Sequence, residues 1–205
     1  MCVRCSWSES SPLLIEYHDH EWGVPVHDEE KHFEFLFLET MQAGLSWRII
    51  LEKREGFRRA CDSFDCRRIA AYDDAKISEL MEDKSIIRNR KKLEGAVRNA
   101  GKFMEIQAAY GSFDQFLWSF TGGLIIDSRL SPADKEPAEN WLSRALSRKL
   151  KTLGFAYIGS VTMYAHLQAV GVILDHRVTC FRYQELKEAY SHLHRPPGYW
   201  SKITG

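Results

Sequence analysis

Residues 16–28 read EYHDHEWGVPVHD and gather His18, His20 and His27 among acids, with Tyr17 and Trp22 beside them. Imidazoles ligate metals, carboxylates titrate and aromatic planes stack, whereas a core segment repeats apolar residues on one face. This stretch shows no clean helical or strand alternation. Further along, in DHRVTC, His176 and Cys180 stand four residues apart. On a helix that spacing turns both side chains to one face, where they could grip one ion. The other ligands of a tetrahedral site must come from elsewhere, and the N-terminus offers Cys2, Cys5, His18, His20 and His27. A site closed in this way would tie the first residues to the last helix as a structural zinc staple with no open position for water. Spacing leaves two alternatives open. One is a core histidine beside an inert buried thiol; the other is a catalytic ion with an open position, held by His18, Asp19, His20 and His176.

A second chemical feature is Glu39 in HFEFLFLETMQAGLSW, a run apolar on nearly every face, so that its helix is expected to be buried. An unpaired buried carboxylate costs several kcal/mol or stays protonated, so it needs a partner or a function. Arg48 or Arg54 could pair with it. Alternatively Gln42, on the same side, and Trp47, just past Gly44, join it to hold a flat, electron-poor heterocycle by edge hydrogen bonds and stacking. Tyr17, Trp22 and Trp7 could add planes.

A third is LKTLGFAYIGSVTMYAHLQAVG, residues 150–171. Gly154 ends one helix, and Gly159–Ser160 opens another whose free N–H groups suit an anion. This is the form of a helix-hairpin-helix, which holds a DNA phosphate without reading sequence. The basic stretch RALSRKLK precedes it directly.

The elements that must position these groups read as helices. Asp28, Ser46 and Asp73 are placed to cap the segments that follow them, and 89–110, 112–119, 138–153 and 160–170 are further helical segments. Strand patterns are nearly absent. The stretch 121–137 gathers Gly, Ser, Pro and charges and reads as a loop, a possible boundary between two helical lobes. A single all-helical domain is expected over 1–183, with 184–205 as a C-terminal extension. At 205 residues and 44% hydrophobic, the chain suits one core. Its apolar runs are too short to span a bilayer and the N-terminus lacks a signal-like apolar region, which points to a cytoplasmic protein. Five cysteines make an odd, scattered set and argue against a disulfide framework. The 28 basic and 28 acidic residues balance, yet 84–102 holds seven bases and one acid, a patch that could steer a phosphate backbone.

CSW, YHDHEWGVP, LETMQAGLSW, IIRNRKK, LGFAYIGSVTMYAHLQAVG and DHRVTC follow one another in the order and spacing of the DNA-3-methyladenine glycosylase I family, which the chain resembles over roughly residues 1–183. The resemblance implies an all-α helix-hairpin-helix DNA glycosylase that removes 3-methyladenine from alkylated double-stranded DNA, releasing the free base. It implies zinc ligands at Cys5, His18, His176 and Cys180, and pocket walls at Tyr17, Trp22, Trp7 and Trp47. Glu39 matches the carboxylate that recognises the methylated base, and Gly44 and Leu45 match the element that enters the duplex where the base has left. Two positions depart from the pattern. Leu14 replaces an aromatic residue, and Leu174 stands both where an asparagine commonly precedes the DH pair and where wider helix-hairpin-helix glycosylases carry a catalytic aspartate. The hairpin also lacks a lysine for a Schiff base, so a monofunctional enzyme is expected. A missing aspartate is tolerable chemically. Methylation at N3 makes adenine cationic, so the base leaves as a neutral molecule without protonation, and the protein need only flip it, hold it and stabilise the cation-like sugar. The alternative is a catalytically inactive, zinc-stapled DNA-binding module. A monomer is expected, since one chain presents a complete site.

Overall fold

A computed structural model describes residues 3–193. Among these the helices are α1 (Pro12–His20), α2 (Glu29–Gln42), α3 (Trp47–Ala60), α4 (Cys66–Ala70), α5 (Asp74–Glu82), α6 (Arg90–Tyr110), α7 (Phe113–Ser119), α8 (Trp141–Thr152), α9 (Ser160–Ala169) and α10 (Phe181–Ala189). The caps read from the sequence close as expected. Asp28 accepts from Lys31 N at 2.8 Å, Asp73 from Lys76 N at 2.8 Å, and Ser46 from Ile49 N at 3.4 Å, each satisfying a donor that the helix itself leaves open.

The opening stretch departs from its sequence reading. Residues 12–20 form α1, started by Ser11 accepting from Leu14 N, with Pro12 in the first turn. Nine residues are too few for periodicity to show against so many polar side chains. DHRVTC departs as well. His176 and Cys180 lie in the connection between a short strand and α10, not on one helix. Asp175 and His176 follow the extended pair Ile173–Leu174, and the chain turns at Val178–Thr179, so a turn rather than a helix face brings the two ligands together. That strand, β2, pairs in parallel with β1 (Ile126–Asp127) inside the stretch read as loop. The expected boundary at residue 183 falls within α10, where Leu186 is buried. Cys2 and residues 194–205 lie outside the described residues.

The core forms around α2, which packs on α3, α6, α7 and α9. Every residue from His32 to Met41 is buried, so α2 carries two glutamates into the interior. Edge-to-face aromatic pairs, Phe37 with Phe57 and Phe64 and Phe33 with Phe103, fill the space between α2 and its neighbours. α8 and α9 form a packed pair joined by a turn, with α9 also against α2. The turn is clamped by Asn99 of α6, which donates to Ala156 O at 3.0 Å and accepts from Ala156 N at 2.7 Å.

Candidate base-binding cavity and metal-ligand cluster

The two buried glutamates of α2 meet opposite fates. Glu34 accepts from Arg54 at 2.8 Å and from Arg58 at 2.6 Å. Although burial alone would raise its pKa, these cations hold its carboxyl below the usual range. Arg54 also binds Glu21, and Arg48 binds Glu52, so neither arginine considered for Glu39 reaches it. Glu39 is 2% exposed, and its Oε2 has no hydrogen-bond partner among the described residues. Desolvation pushes its carboxyl up to about 8. A helix that neutralises one buried acid with two arginines leaves the other bare.

Glu39 faces a cavity of about 290 Å³ lined by Trp7, Tyr17, Trp22, Gln42, Trp47, Glu136, Ala165 and Gln168. That volume is at the small end of ligand pockets and suits one nucleobase rather than a larger ligand. The walls are aromatic. Tyr17 and Trp47 lie 5.4 Å apart between ring centroids, and Trp7 and Trp22 meet edge-on at 5.0 Å. Burial, and next the charge of Glu39, raises the Tyr17 phenol well above its ordinary value, so it stays a neutral plane. The structure thus brings together Trp7, Tyr17, Trp22, Glu39, Gln42 and Trp47 from the sequence reading. Sequence reasoning missed Glu136, Ala165 and Gln168. The last two are a helical turn apart on α9 within a segment read only for its glycines.

Gln42 and Ala165 also line a surface groove that runs past Ala43, Gly44, Leu45, Val161 and Thr162. Gly44 has φ +82, a backbone conformation that only glycine adopts without strain, and a Cβ there would meet nothing within 4 Å. At the hairpin, Gly154 has φ +93 after α8 and Gly159 opens α9 with open space before it. No side chain caps α9; Ser160 instead donates its hydroxyl to Glu139. Gly44, Leu45 and the first turn of α9 therefore share one groove, which has Gln42 and Ala165 in common with the cavity. The basic stretch is partly absorbed into the fold. Lys92 is buried and donates to Met41 O at 2.7 Å and Ala43 O at 2.6 Å, closing the end of α2, while Arg90 pairs with Asp74. Lys84, Arg88, Lys91 and Arg98 remain exposed.

Behind the aromatic wall, Cys5, His18, His176 and Cys180 converge with all ligand atoms within 4.8 Å of one another, every residue buried. His18 Nδ1 contacts Asp19 Oδ1 at 2.7 Å, and His176 Nε2 faces the Trp22 carbonyl at 2.9 Å. Each of those nitrogens carries the ring proton, which leaves His18 Nε2 and His176 Nδ1 as acceptor lone pairs 3.2 Å apart, the first also receiving a long contact from the Cys5 N–H at 3.4 Å. Two lone pairs in that position repel unless a cation or a donated thiol proton lies between them. Sulfur–nitrogen separations are 3.4, 3.6 and 3.8 Å. A tetrahedral ion with ordinary metal–sulfur and metal–nitrogen bonds sets donors roughly 3.3–3.8 Å apart, so the residues fit a four-coordinate metal. The hydrogen bond shared by the two thiols lets Cys180 ionise before Cys5, whose own thiol it pushes up. His20 lies outside the cluster, paired at 3.7 Å with Glu16 on the surface, and Asp19 is bound by Arg4, so the open-site set of His18, Asp19, His20 and His176 is not assembled. The metal-ligand cluster also supports the cavity, because Trp7 packs on His18 at 5.5 Å and Trp22 on His176 at 4.5 Å.

Fold and cavity together define a helical protein with an aromatic-walled cavity beside an unpaired buried acid. The family model for methyladenine glycosylase matches residues 7–183, and the chain belongs to that family. It is 39% identical over 180 residues to the DNA-3-methyladenine glycosylase of Haemophilus influenzae, covering 88% of this chain and 97% of the relative. To DNA-3-methyladenine glycosylase 1 of Escherichia coli K12 it is 38% identical, covering 88% and 96%. A crystal structure of 3-methyladenine DNA glycosylase I superposes with a TM-score of 0.84 at 40% identity over 87% of this chain and 98% of that one. A variant of 3-methyladenine DNA glycosylase I solved in complex with 3-methyladenine also superposes at 0.84, with 35% identity over 87% and 96%.

Among the described residues no helix is long and apolar enough to cross a membrane.

Proposed function

We propose that this chain is a monofunctional DNA glycosylase that hydrolyses the N-glycosidic bond of 3-methyladenine in alkylated double-stranded DNA, the first step of base excision repair. The observation that carries the reading is Glu39, a buried acid without a partner at an aromatic-walled cavity the size of one base. The flipped 3-methyladenine nucleotide is cationic, so its arrival supplies the counter-charge that the fold withholds from Glu39. The bond from sugar C1′ to base N9 breaks, its electron pair neutralises the departing base, and water adds to C1′ with loss of a proton. Trp7, Tyr17, Trp22 and Trp47 supply stacking surfaces, and Gln42 an edge contact. The reading of α8 and α9 as a helix-hairpin-helix rests on the uncapped start of α9 at Gly159–Ser160 and on Gly154. Gly44 and Leu45, across the shared groove, are the element that fills the gap left in the duplex. The metal is structural zinc, chosen by a donor set of two thiolates and two imidazoles with every position filled by protein. It would cross-link the segment around Cys5 and α1 to the turn before α10 and brace the aromatic wall.

Release of free bases from methylated duplex DNA, separated chromatographically, tests the proposal with Glu39→Gln in parallel. Release of 3-methyladenine that falls in the variant is the expected result. A folded, metal-loaded protein that binds methylated DNA but frees no base would overturn catalysis in favour of a binding module.

A further inference from the structure

One wall of the cavity is set by hydrogen bonds rather than by stacking. Gln168 of α9 lines the cavity and is 6% exposed. Its Nε2 is engaged twice, donating to Asp175 Oδ2 at 2.7 Å and to Glu136 Oε1 at 2.9 Å. Carboxylate oxygens only accept, so the amide cannot be reversed: its nitrogen faces the acids, and Oε1 is the atom left for the cavity. Asp175 is pinned in turn, because the Tyr164 hydroxyl donates to the same Oδ2 at 2.5 Å, and both residues are buried. Among the groups lining the cavity, Glu39 Oε2 is buried without a partner among the described residues, and the hydrogen bonds of the Gln168 amide run through its nitrogen, which leaves Oε1 as its acceptor toward a ligand.

The geometry points to Gln168 as a specificity-determining residue that accepts a hydrogen bond from the flipped base, so that the cavity selects a methylated purine bearing an amine at C6 over one bearing a keto oxygen at C6. This deepens the glycosylase reading and rests on it. An amine N–H satisfies the fixed oxygen. A keto group opposes it lone pair to lone pair, with both oxygens stripped of water, and a site built around a hydrogen bond rejects such an analogue strongly. Asp175 and Tyr164 are positioning residues that hold the amide in the accepting orientation.

The test compares kcat/KM for release of 3-methyladenine and of 3-methylguanine from the same methylated duplex by the wild type and by Gln168→Met, which keeps the side-chain length and loses the acceptor. The 3-methyladenine value should fall about tenfold and the 3-methylguanine value should not, so their ratio narrows. Tyr164→Phe, which loosens Asp175 without touching the cavity wall, should narrow the same ratio by less. Parallel losses for both bases, or an unchanged ratio in both variants, would overturn the assignment. If the wild type frees no base, the glycosylase reading fails and Gln168 is judged by equilibrium binding of 3-methyladenine against 3-methylhypoxanthine, followed by quenching of the cavity tryptophans. A preference for the amine that disappears in Gln168→Met upholds the assignment, and a preference that persists refutes it.

Discussion

Replacing Glu39 by glutamine should make the protein more tolerant of alkali while disabling it. Burial raises the Glu39 carboxyl from 4.5 to about 8, so between those pH values the folded chain keeps a proton that the unfolded chain has released. Stability is then complete below pH 4.5 and is lost as pH rises toward 8, by about 1.4 kcal/mol per pH unit. The window spans pH 4.5 to about 8, for a total of about 5 kcal/mol. Urea unfolding of wild type and Glu39→Gln at pH 6, 7 and 8 isolates this contribution, because every other titrating group is common to both and cancels in the difference. The difference should move in favour of the variant by about 2 kcal/mol across those two pH units, the slope flattening as pH reaches the folded-state pKa. Activity should run the other way. The ionised acid is the form that faces a cationic base, so kcat/KM of the wild type should rise with pH through about 8. Parallel stability curves for the two proteins would refute the claim that Glu39 lacks a counter-charge in the free fold.

Three further outcomes follow from the same structure. If the cluster holds the proposed zinc, chelation, like replacing Cys180 by alanine, should lower Tm by more than about 10 °C and broaden the tryptophan emission of Trp7 and Trp22, because the cluster joins the segment around Cys5 to the turn before α10 and braces their rings; an unchanged Tm after chelation would rule out the structural role. His166 is wholly buried with neither ring nitrogen hydrogen-bonded among the described residues, and desolvation pushes its pKa down from 6.5 to about 3. The unfolded chain therefore takes up a proton that the fold refuses, and stability falls with acid below pH 6.5 by about 1.4 kcal/mol per unit. His166→Leu should flatten that limb in acid denaturation, and a limb of unchanged slope would contradict the assignment. Lys92→Met strands the carbonyls of Met41 and Ala43 that its ammonium caps, which should cost about 1–3 kcal/mol and raise KM for DNA more than it lowers kcat, since the freed turn carries Gly44 and Leu45.

The comparison of two glutamates on one helix shows how far the chain could be read before its fold was known. The apolar run around Glu34 and Glu39 marked α2 as buried, because a helix without a polar face has nowhere else to go. Which of its acids would be paired was invisible, since Arg54 and Arg58 come from α3 and their choice of Glu34 depends on how the two helices cross. The ligand types of the metal cluster were likewise legible as residues, while the reason that His176 and Cys180 meet was not. Helical spacing suggested one route, and the turn before α10 supplies another. Gln168 carried no sequence signal at all, as a glutamine near a helix end is ordinary until Asp175 and Glu136 are seen to hold it.

Local chemistry by itself determined the helical class, the capped starts of α2, α3 and α5, the burial of α2 and the supply of aromatic, acidic and metal-ligating side chains, because those depend on residues within a few positions of one another. Tertiary structure alone decided which acid stays unpaired, which four donors converge across 171 residues between Cys5 and His176, and which way the Gln168 amide points. Each of these is a choice among partners distant in sequence, made by packing.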